Sequence, residues 1–286
     1  MVFTHYKAPY AFMGYQCPME ESKVVVIPVP YDSTTSFGGG ARNGPHAMIL
    51  ASRQVEFYDL ELKDEFAFKI GLHTADEVEP DTDSPQRTVM HVSELVSEVL
   101  EKGKFPVVFG GEHSISLGPV MALAKKYPKL SILQLDAHCD LRDRYEGSRH
   151  NHACVMRRVR EVVKGPVVQV GIRSMDRTEA EYIEKNNLGS YIFGTEFDSA
   201  KILKLLSDDV YITIDLDAFD PSEVPAVGTP EPGGLRWGQV LPLLREVCKK
   251  RHVVGFDINE LAPIPGTTQS EFLAAKLAYK MLCYKF

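Results

Sequence analysis

A short apolar run that ends in three ionisable residues constrains the fold of this chain more than any other stretch. Residues 131–140 read SILQLDAHCD, so that Asp136, His138 and Asp140 alternate with small residues. A continuous apolar run of this length predicts a buried strand of a parallel sheet, and ligands bind beyond the carboxyl ends of such strands. On a pleated strand the three polar side chains project to the same side. The stretch therefore predicts a site for a divalent metal ion; the alternative is a strand end with incidental polar residues.

Strand and helix patterns alternate from a first strand at residues 23–29 to a last helix that begins near residue 269. Such alternation predicts an α/β fold with three layers, α/β/α, around a mostly parallel sheet of about eight strands. No linker or repeat divides the 286 residues. We therefore expect a single domain over residues 1–286, in which residues 1–22 form an irregular arm over the surface. We also expect strands at residues 66–72 and 131–138.

Composition argues against several classes of protein. The formal net charge of −7 disfavours a nucleic-acid partner. No apolar run reaches the 18 or so residues of a membrane span, and the first 15 residues do not have the pattern of a signal peptide. The five cysteines form no CxxC pair, which favours reduced thiols. We therefore expect a soluble, cytoplasmic protein with no membrane partner.

Three further predicted strands also end in residues that suit a metal site. His113 follows a strand and two glycines, Asp215 and Asp217 end another strand, and Glu260 follows a third. Because the carboxyl ends of parallel strands lie at one edge of the sheet, we expect a single site. Oxygen-rich ligand sets with few histidines suit Mn²⁺, Fe²⁺ or Mg²⁺ better than structural zinc, and four carboxylates can balance two divalent ions. The candidate metal ligands are His113, Asp136, His138, Asp140, Asp215 and Asp217.

Three motifs, in this order along the chain, resemble the signatures of the ureohydrolase (arginase/agmatinase) family. They are GGEHS at residues 110–114, DAHCD at 136–140 and DLDAFDP at 215–221. The resemblance extends from about residue 24 to the final helix, and residues 30–45 and 228–235 are closest to the agmatinase branch. It implies an arginase-like fold and a homo-oligomer, commonly a trimer or a hexamer.

The resemblance also implies two Mn²⁺ per subunit, with Asp136 and Asp215 bridging them. One ion would be held by His113, Asp136, Asp140 and Asp215, and the other by Asp136, His138, Asp215 and Asp217.

The reaction implied by the resemblance is attack of a metal-bridging hydroxide on a guanidinium carbon, which releases urea and a primary amine. Asp140 would bond to this hydroxide and pass its proton to the leaving amine. Glu260 would accept hydrogen bonds from the guanidinium. His152 would orient the substrate or shuttle protons, a role that the unperturbed pKa of histidine suits.

Two positions depart from the family pattern. Glu112 stands where aspartate is commoner, and we expect the longer side chain to lengthen a contact outside the ring of metal ligands. His152 lies in Asn-His-Ala-Cys where many members have Ser-His-Gly-Thr, so the substrate is less well defined than the chemistry. The loop at residues 31–40 is either a flexible connection or an active-site loop.

Taken together, these features predict an agmatinase that converts agmatine, a small cationic guanidine substrate, to urea and putrescine. Alternatives with the same chemistry are an arginase, a guanidinobutyrase and an aminopropylagmatine ureohydrolase. An alternative of a different class is a metal-binding scaffold without turnover, which the complete set of candidate residues disfavours. A metal phosphoesterase would need cationic groups that bind phosphate, and the motifs contain none. We expect Cys139 to pack in the core, because its side chain alternates away from the ligands.

Overall fold

The computed structural model describes residues 8–286, which form ten strands and nine α-helices joined by short 3₁₀ turns. The strands are β1 (Val24–Val29), β2 (Tyr58–Asp59), β3 (Asp64–Glu65), β4 (Leu72–Thr74), β5 (Phe105–Gly110), β6 (Ser131–Leu135), β7 (Val167–Val170), β8 (Ile192–Phe193), β9 (Asp209–Asp215) and β10 (His252–Asn259). The helices are α1 (Gly44–Ser52), α2 (Phe66–Ile70), α3 (Pro85–Glu101), α4 (Leu117–Lys126), α5 (Val155–Val162), α6 (Arg177–Lys185), α7 (Ser199–Leu205), α8 (Trp237–Lys250) and α9 (Gln269–Lys285).

Eight strands form one sheet in the order β4-β1-β5-β10-β9-β6-β7-β8, and every pairing in it is parallel. β2 and β3 form a separate antiparallel pair. Helices cover both faces of the large sheet, because parallel strands need crossover connections and those connections bury the sheet. The predicted three-layer α/β/α fold is therefore confirmed. None of the helices described over residues 8–286 is long and apolar enough to cross a membrane.

The strands are apolar on both sides, and successive side chains belong to different cores. On β6, Leu133 and Leu135 pack in the core that α1, α7, α8 and α9 cover. Ile132 points the other way, into the core that α3, α4 and α5 cover. Burial on both faces explains why the strands read as continuous apolar runs rather than as alternating patterns. Cys139 is fully buried in the second core, which agrees with its predicted packing role.

Two predicted strand boundaries are wrong. Residues 66–70 are the helix α2, and the strand β4 starts only after Gly71, whose φ of 64° turns the chain sharply. A short apolar run does not distinguish a helix from a strand, and here the buried Ala67 and Ile70 have helical spacing. β6 ends at Leu135, so the ionisable residues after it lie in a loop and not on a pleated strand.

Residues 8–22 contain no strand or α-helix, but part of this segment is buried. Residues 1–7 lie outside the described residues. Ala11, Phe12 and Met13 have almost no exposed surface, and the Phe12 ring packs edge-on against Phe109 with 5.1 Å between centroids. The prediction of a surface arm is therefore wrong for these three residues.

The four central strands, β5, β10, β9 and β6, all end at the same edge of the sheet. Gly111, just after β5, lets three chain segments meet there. Its N–H donates to Val29 and its carbonyl accepts from the Glu260 N–H, while the neighbouring Glu112 N–H donates to the Tyr31 carbonyl. A Cβ at Gly111 would lie 1.9 Å from the Tyr31 carbonyl oxygen, so only glycine permits this approach.

We predict that Gly111→Ala lowers the free energy of unfolding by about 1–3 kcal/mol or more, because the added methyl group overlaps backbone that cannot move aside. Urea denaturation followed by circular dichroism measures the change. Gly238→Ala is the matched control, since it lies in α8 with open space around its Cβ position, and it should be neutral or slightly stabilising. Equal stability of the Gly111→Ala variant and the unmodified protein would contradict this account of the strand ends.

Candidate metal centre

The four central strand ends bring the candidate ligands together in two adjacent groups. One group is His113, Asp136 and Asp140, and the other is Asp136, His138 and Asp217; in each, the possible ligand atoms lie within 4.8 Å of one another. Asp136 belongs to both groups, which is the position that a bridging ligand would occupy. All five residues are buried except His138, which is partly exposed.

Asp215, the second predicted bridge, belongs to neither group but lies next to the first. Its Oδ2 is 3.4 Å from His113 Nδ1, and its Oδ1 accepts a hydrogen bond of 2.9 Å from the Asp217 N–H. This contact fixes one oxygen of Asp215 and leaves the other directed at the space between the ligands.

The ring of His113 shows that the first group fits a cation. Its Nδ1 is buried and has no hydrogen-bond partner. This nitrogen nevertheless lies 3.0 Å from Asp136 Oδ2, 3.1 Å from Asp140 Oδ2 and 3.4 Å from Asp215 Oδ2. A nitrogen that faces three carboxylate oxygens without bonding to them suits a shared ion between the four groups, and the donor set suits Mn²⁺.

The electrostatics of the site show that it lacks positive charge. Burial raises the pKa of Asp140 to about 7, and it also raises the pKa values of Asp215 and Asp217. The negative charges of neighbouring carboxylates raise all three further. Burial opposes charge on His113 and His138, but the surrounding aspartates outweigh it and raise both pKa values, that of His138 to about 12. Two divalent cations would supply the missing charge and displace these protons.

Two of the candidate residues have strained backbones. Asp140 has a φ of 52° and Glu260 a φ of 66°, a left-handed region that non-glycine residues adopt rarely. Asp140 therefore reaches the site because the chain turns after β6. The prediction that it does so by alternation along a pleated strand is wrong. Such strain persists where the surrounding structure enforces it, and it is concentrated at functional sites.

Glu260 lies beside the candidate ligands and faces the cavity. Its Oε1 accepts a hydrogen bond of 2.6 Å from the His113 N–H, and its side chain lines the cavity above the ligands. Burial and the nearby Glu112 raise its pKa well above the ordinary value. A cationic group that enters the cavity would favour the ionised carboxylate, which accepts hydrogen bonds.

His152 lines the same cavity, and its environment corrects one expectation. Burial lowers its pKa to about 4, so the imidazole is neutral near pH 7, and it does not have the unperturbed pKa assumed from the sequence. The backbone N–H of His152 donates to Thr34 Oγ1 at 3.2 Å. Thr34 in turn donates to the buried Glu112 carboxylate, both from its backbone N–H at 2.6 Å and from its hydroxyl. Glu112 thus links the loop at residues 31–40 to the site.

The cavity has a volume of about 250 Å³ and ends at the two ligand groups. Residues 35–38 line it, which favours the interpretation of residues 31–40 as an active-site loop. At its mouth, where Phe37 and Met175 are exposed, lie side chains that the sequence did not indicate: Arg142, Tyr145, Met175, Asp176 and the buried Glu179. The one signal that could have found some of them is position, because residues 174–179 follow the carboxyl end of β7.

Comparison with known proteins identifies relatives along nearly the whole chain. The sequence model of the arginase family matches residues 22–283. The N(1)-aminopropylagmatine ureohydrolase of a Synechocystis strain is 40% identical over 277 residues, which cover 92% of this chain and 89% of the relative. The agmatinase of Bacillus anthracis is 35% identical over 268 residues, which cover 92% of each chain. The crystal structure of agmatine ureohydrolase from Thermoplasma volcanium superimposes with a TM-score of 0.86 at 31% identity, covering 99% of this chain and 95% of that one.

We predict that Asp136→Asn weakens the binding of both ions, because its two oxygens serve both groups, whereas His138→Asn removes only one ion. Isothermal titration with Mn²⁺ and metal analysis after gel filtration measure the number of ions and their dissociation constants. Asp83→Asn, which removes a carboxylate from an exposed loop, is the control and should leave two ions bound. If His138→Asn lost both ions to the same extent as Asp136→Asn, this assignment of the ligands to two groups would be contradicted.

Proposed function

This chain belongs to the arginase family, whose members hydrolyse guanidino or amidino groups, and we propose that it hydrolyses agmatine to urea and putrescine with two Mn²⁺ bound. The observation that carries the proposal is the pair of ligand groups that share Asp136, with the Glu260 carboxylate beside them in one cavity. Guanidinium hydrolysis needs an activated water molecule and an acceptor for the planar cation. The two ligand groups would supply the first through the metal ions, and Glu260 would supply the second.

The roles proposed for the side chains follow from their positions. His113, Asp136, His138, Asp140, Asp215 and Asp217 would hold two Mn²⁺, which would lower the pKa of a water molecule so that hydroxide is available near neutral pH. Asp140 lies at the cavity floor, where it can hold the attacking oxygen and pass its proton to the leaving amine. Glu260 accepts N–H groups of the guanidinium. His152 is neutral, so it orients the substrate through hydrogen bonds without adding a positive charge that would repel it.

The mouth of the cavity favours a substrate with a cationic far end. Arg142 is the one lysine or arginine among the described residues that line the cavity. Its guanidinium lies 3.5 Å from Asp176 Oδ2 and 3.9 Å from Glu179 Oε2, and it stacks over the Tyr145 ring at 4.6 Å. Because two carboxylates already neutralise it, the mouth has a net negative charge. An α-carboxylate, as in arginine, would find no free cation there, whereas the amine of agmatine would be attracted.

N(1)-aminopropylagmatine is a second candidate substrate, and two observations favour it. The Synechocystis relative that carries this name is 40% identical, against 35% for the Bacillus anthracis agmatinase. Phe37 and Met175 stand at the cavity mouth with exposed fractions of 85% and 46%. These apolar side chains could contact an additional three-carbon segment that extends out of the cavity.

We predict that the protein loaded with Mn²⁺ releases urea from agmatine or from N(1)-aminopropylagmatine with a higher kcat/KM than from arginine or guanidinobutyrate. The reason is the net negative charge at the cavity mouth. A colorimetric urea assay over the four substrates measures the preference. Preference for arginine would contradict the proposed substrate but not the proposed hydrolysis of a guanidinium group. The absence of urea from all four substrates would support the non-catalytic scaffold instead.

We further predict that Asp176→Asn raises KM for the preferred amine substrate several-fold and leaves kcat nearly unchanged, because it removes a negative charge from the mouth. Asp176 also caps α6 by accepting the Thr178 N–H, and asparagine caps equally well, so the helix should be retained. Asp198→Asn is the matched control, since Asp198 caps α7 in the same way and does not line the cavity. Equal KM values in both variants would contradict the proposed role of the mouth.

Assembly into a trimer or hexamer and a cytoplasmic location stay predictions. Size-exclusion chromatography with light scattering would measure the first directly.

A further inference from the structure

A row of four polar side chains crosses the middle of the sheet, one residue layer behind the metal ligands. In the strand register, Gln169 of β7 pairs with Gln134 of β6, Gln134 with Thr213 of β9, and Thr213 with Asp257 of β10. At most 1% of the surface of any of these residues is exposed. Buried polar groups in the centre of a parallel sheet are costly unless they are hydrogen-bonded, so the partners of this row show what it does.

One half of the row ends on Asp136. The Arg160 guanidinium can only donate, and its Nη2 lies 3.4 Å from Gln169 Oε1, which fixes the orientation of that amide. Gln169 Nε2 then donates to Gln134 Oε1 at 2.5 Å, and Gln134 Nε2 donates to Asp136 Oδ2 at 2.6 Å. Every bond in this chain of donors points the same way. It leads from a cation on α5 to the carboxylate that both ligand groups share.

The other half of the row ends on His113. The Thr213 hydroxyl donates to Asp257 Oδ1 at 2.6 Å, so its oxygen accepts from His113 Nε2 at 2.8 Å. Asp257 is fixed in turn by the Tyr211 hydroxyl at 2.7 Å and by Asn259 Nδ2 at 2.6 Å. With this proton on Nε2, the His113 ring can present the lone pair of Nδ1 to a cation held among the three aspartates.

We propose that this row is a positioning layer, in which Gln134 and Gln169 fix the carboxylate of Asp136 and Thr213 and Asp257 fix the ring of His113. Both ligands then face the metal before it binds, and less ordering is required when it arrives. The inference rests on the proposed metal site but not on the identity of the substrate. None of these four residues is a ligand or a substrate contact, so they act on the reaction only through Asp136 and His113.

The test measures Mn²⁺ binding to purified metal-free protein, by titration with electron paramagnetic resonance detection of free Mn²⁺. Thr213→Val, which replaces the hydroxyl by a methyl group of similar size, should raise the dissociation constant about 10–100-fold for one ion. Gln134→Met should raise it for both ions, because Asp136 serves both groups. Thr213→Ser restores the hydroxyl and should bind within a few-fold of the unmodified protein.

Ser131→Ala is the matched control for loss of a buried hydroxyl from the same sheet. Ser131 lies at the amino end of β6, bonded to Ser207 and Asp209 and remote from the ligands. Its removal should lower thermal stability without changing Mn²⁺ binding. Should Thr213→Val fail to fold by circular dichroism, Gln134→Met and Gln169→Met carry the test, and Gln169→Met should raise the dissociation constants less than Gln134→Met.

Two negative outcomes have different meanings. If the unmodified protein binds two Mn²⁺ and the folded row variants bind them equally well, the row is structural only and the inference is overturned. If the unmodified protein binds no Mn²⁺, the proposed function fails together with the inference.

Discussion

The concentration of buried negative charge at one edge of the sheet is the constraint on which the rest of the structure depends. The carboxylates involved are Asp136, Asp140, Asp215, Asp217 and Glu260. Within the described part of the chain, His113 and His138 are the only residues that form ion pairs with any of these carboxylates. Burial of so many like charges is unfavourable without a cation, and the raised pKa values of four of them express that cost. A cation bound among these groups would therefore stabilise the folded chain.

The parallel sheet is suited to hold such charges because it brings segments remote in sequence to one edge. His113, the loop after β6, Asp215 and Glu260 come from four adjacent strands whose ends cannot move independently. Behind them, the row of polar partners occupies positions that an ordinary sheet would fill with valine or isoleucine. The charged edge therefore rests on a second polar layer, and the apolar cores begin only beyond it.

Much of this arrangement could be predicted from the sequence, because its signals are local. An apolar run followed by an acidic or histidine residue indicates a strand end, and repeating that signal four times indicates a shared edge. The pattern did not reveal how Asp140 reaches the site, since a φ of 52° has no mark in the sequence and the pleat suggested a simpler route. The loss of basicity at His152 was equally invisible, because it comes from burial by remote segments.

Features that depend on register between strands were out of reach. Gln134 and Gln169 are 35 positions apart, and nothing in either neighbourhood indicates that they pair. The same holds for Arg142 at the mouth, whose charge is neutralised by Asp176 and Glu179 at the start of α6. Sequence patterns thus predicted which residues gather at the edge of the sheet better than they predicted the groups that contact those residues or line the mouth of the cavity.

The most direct test of this account is an anomalous-difference map from crystals grown with Mn²⁺, measured at the manganese absorption edge. Two peaks per chain are expected, one beside His113 Nδ1 and the other beside His138 Nδ1, with Asp136 contacting both. A single peak, or two peaks that do not share Asp136, would contradict it.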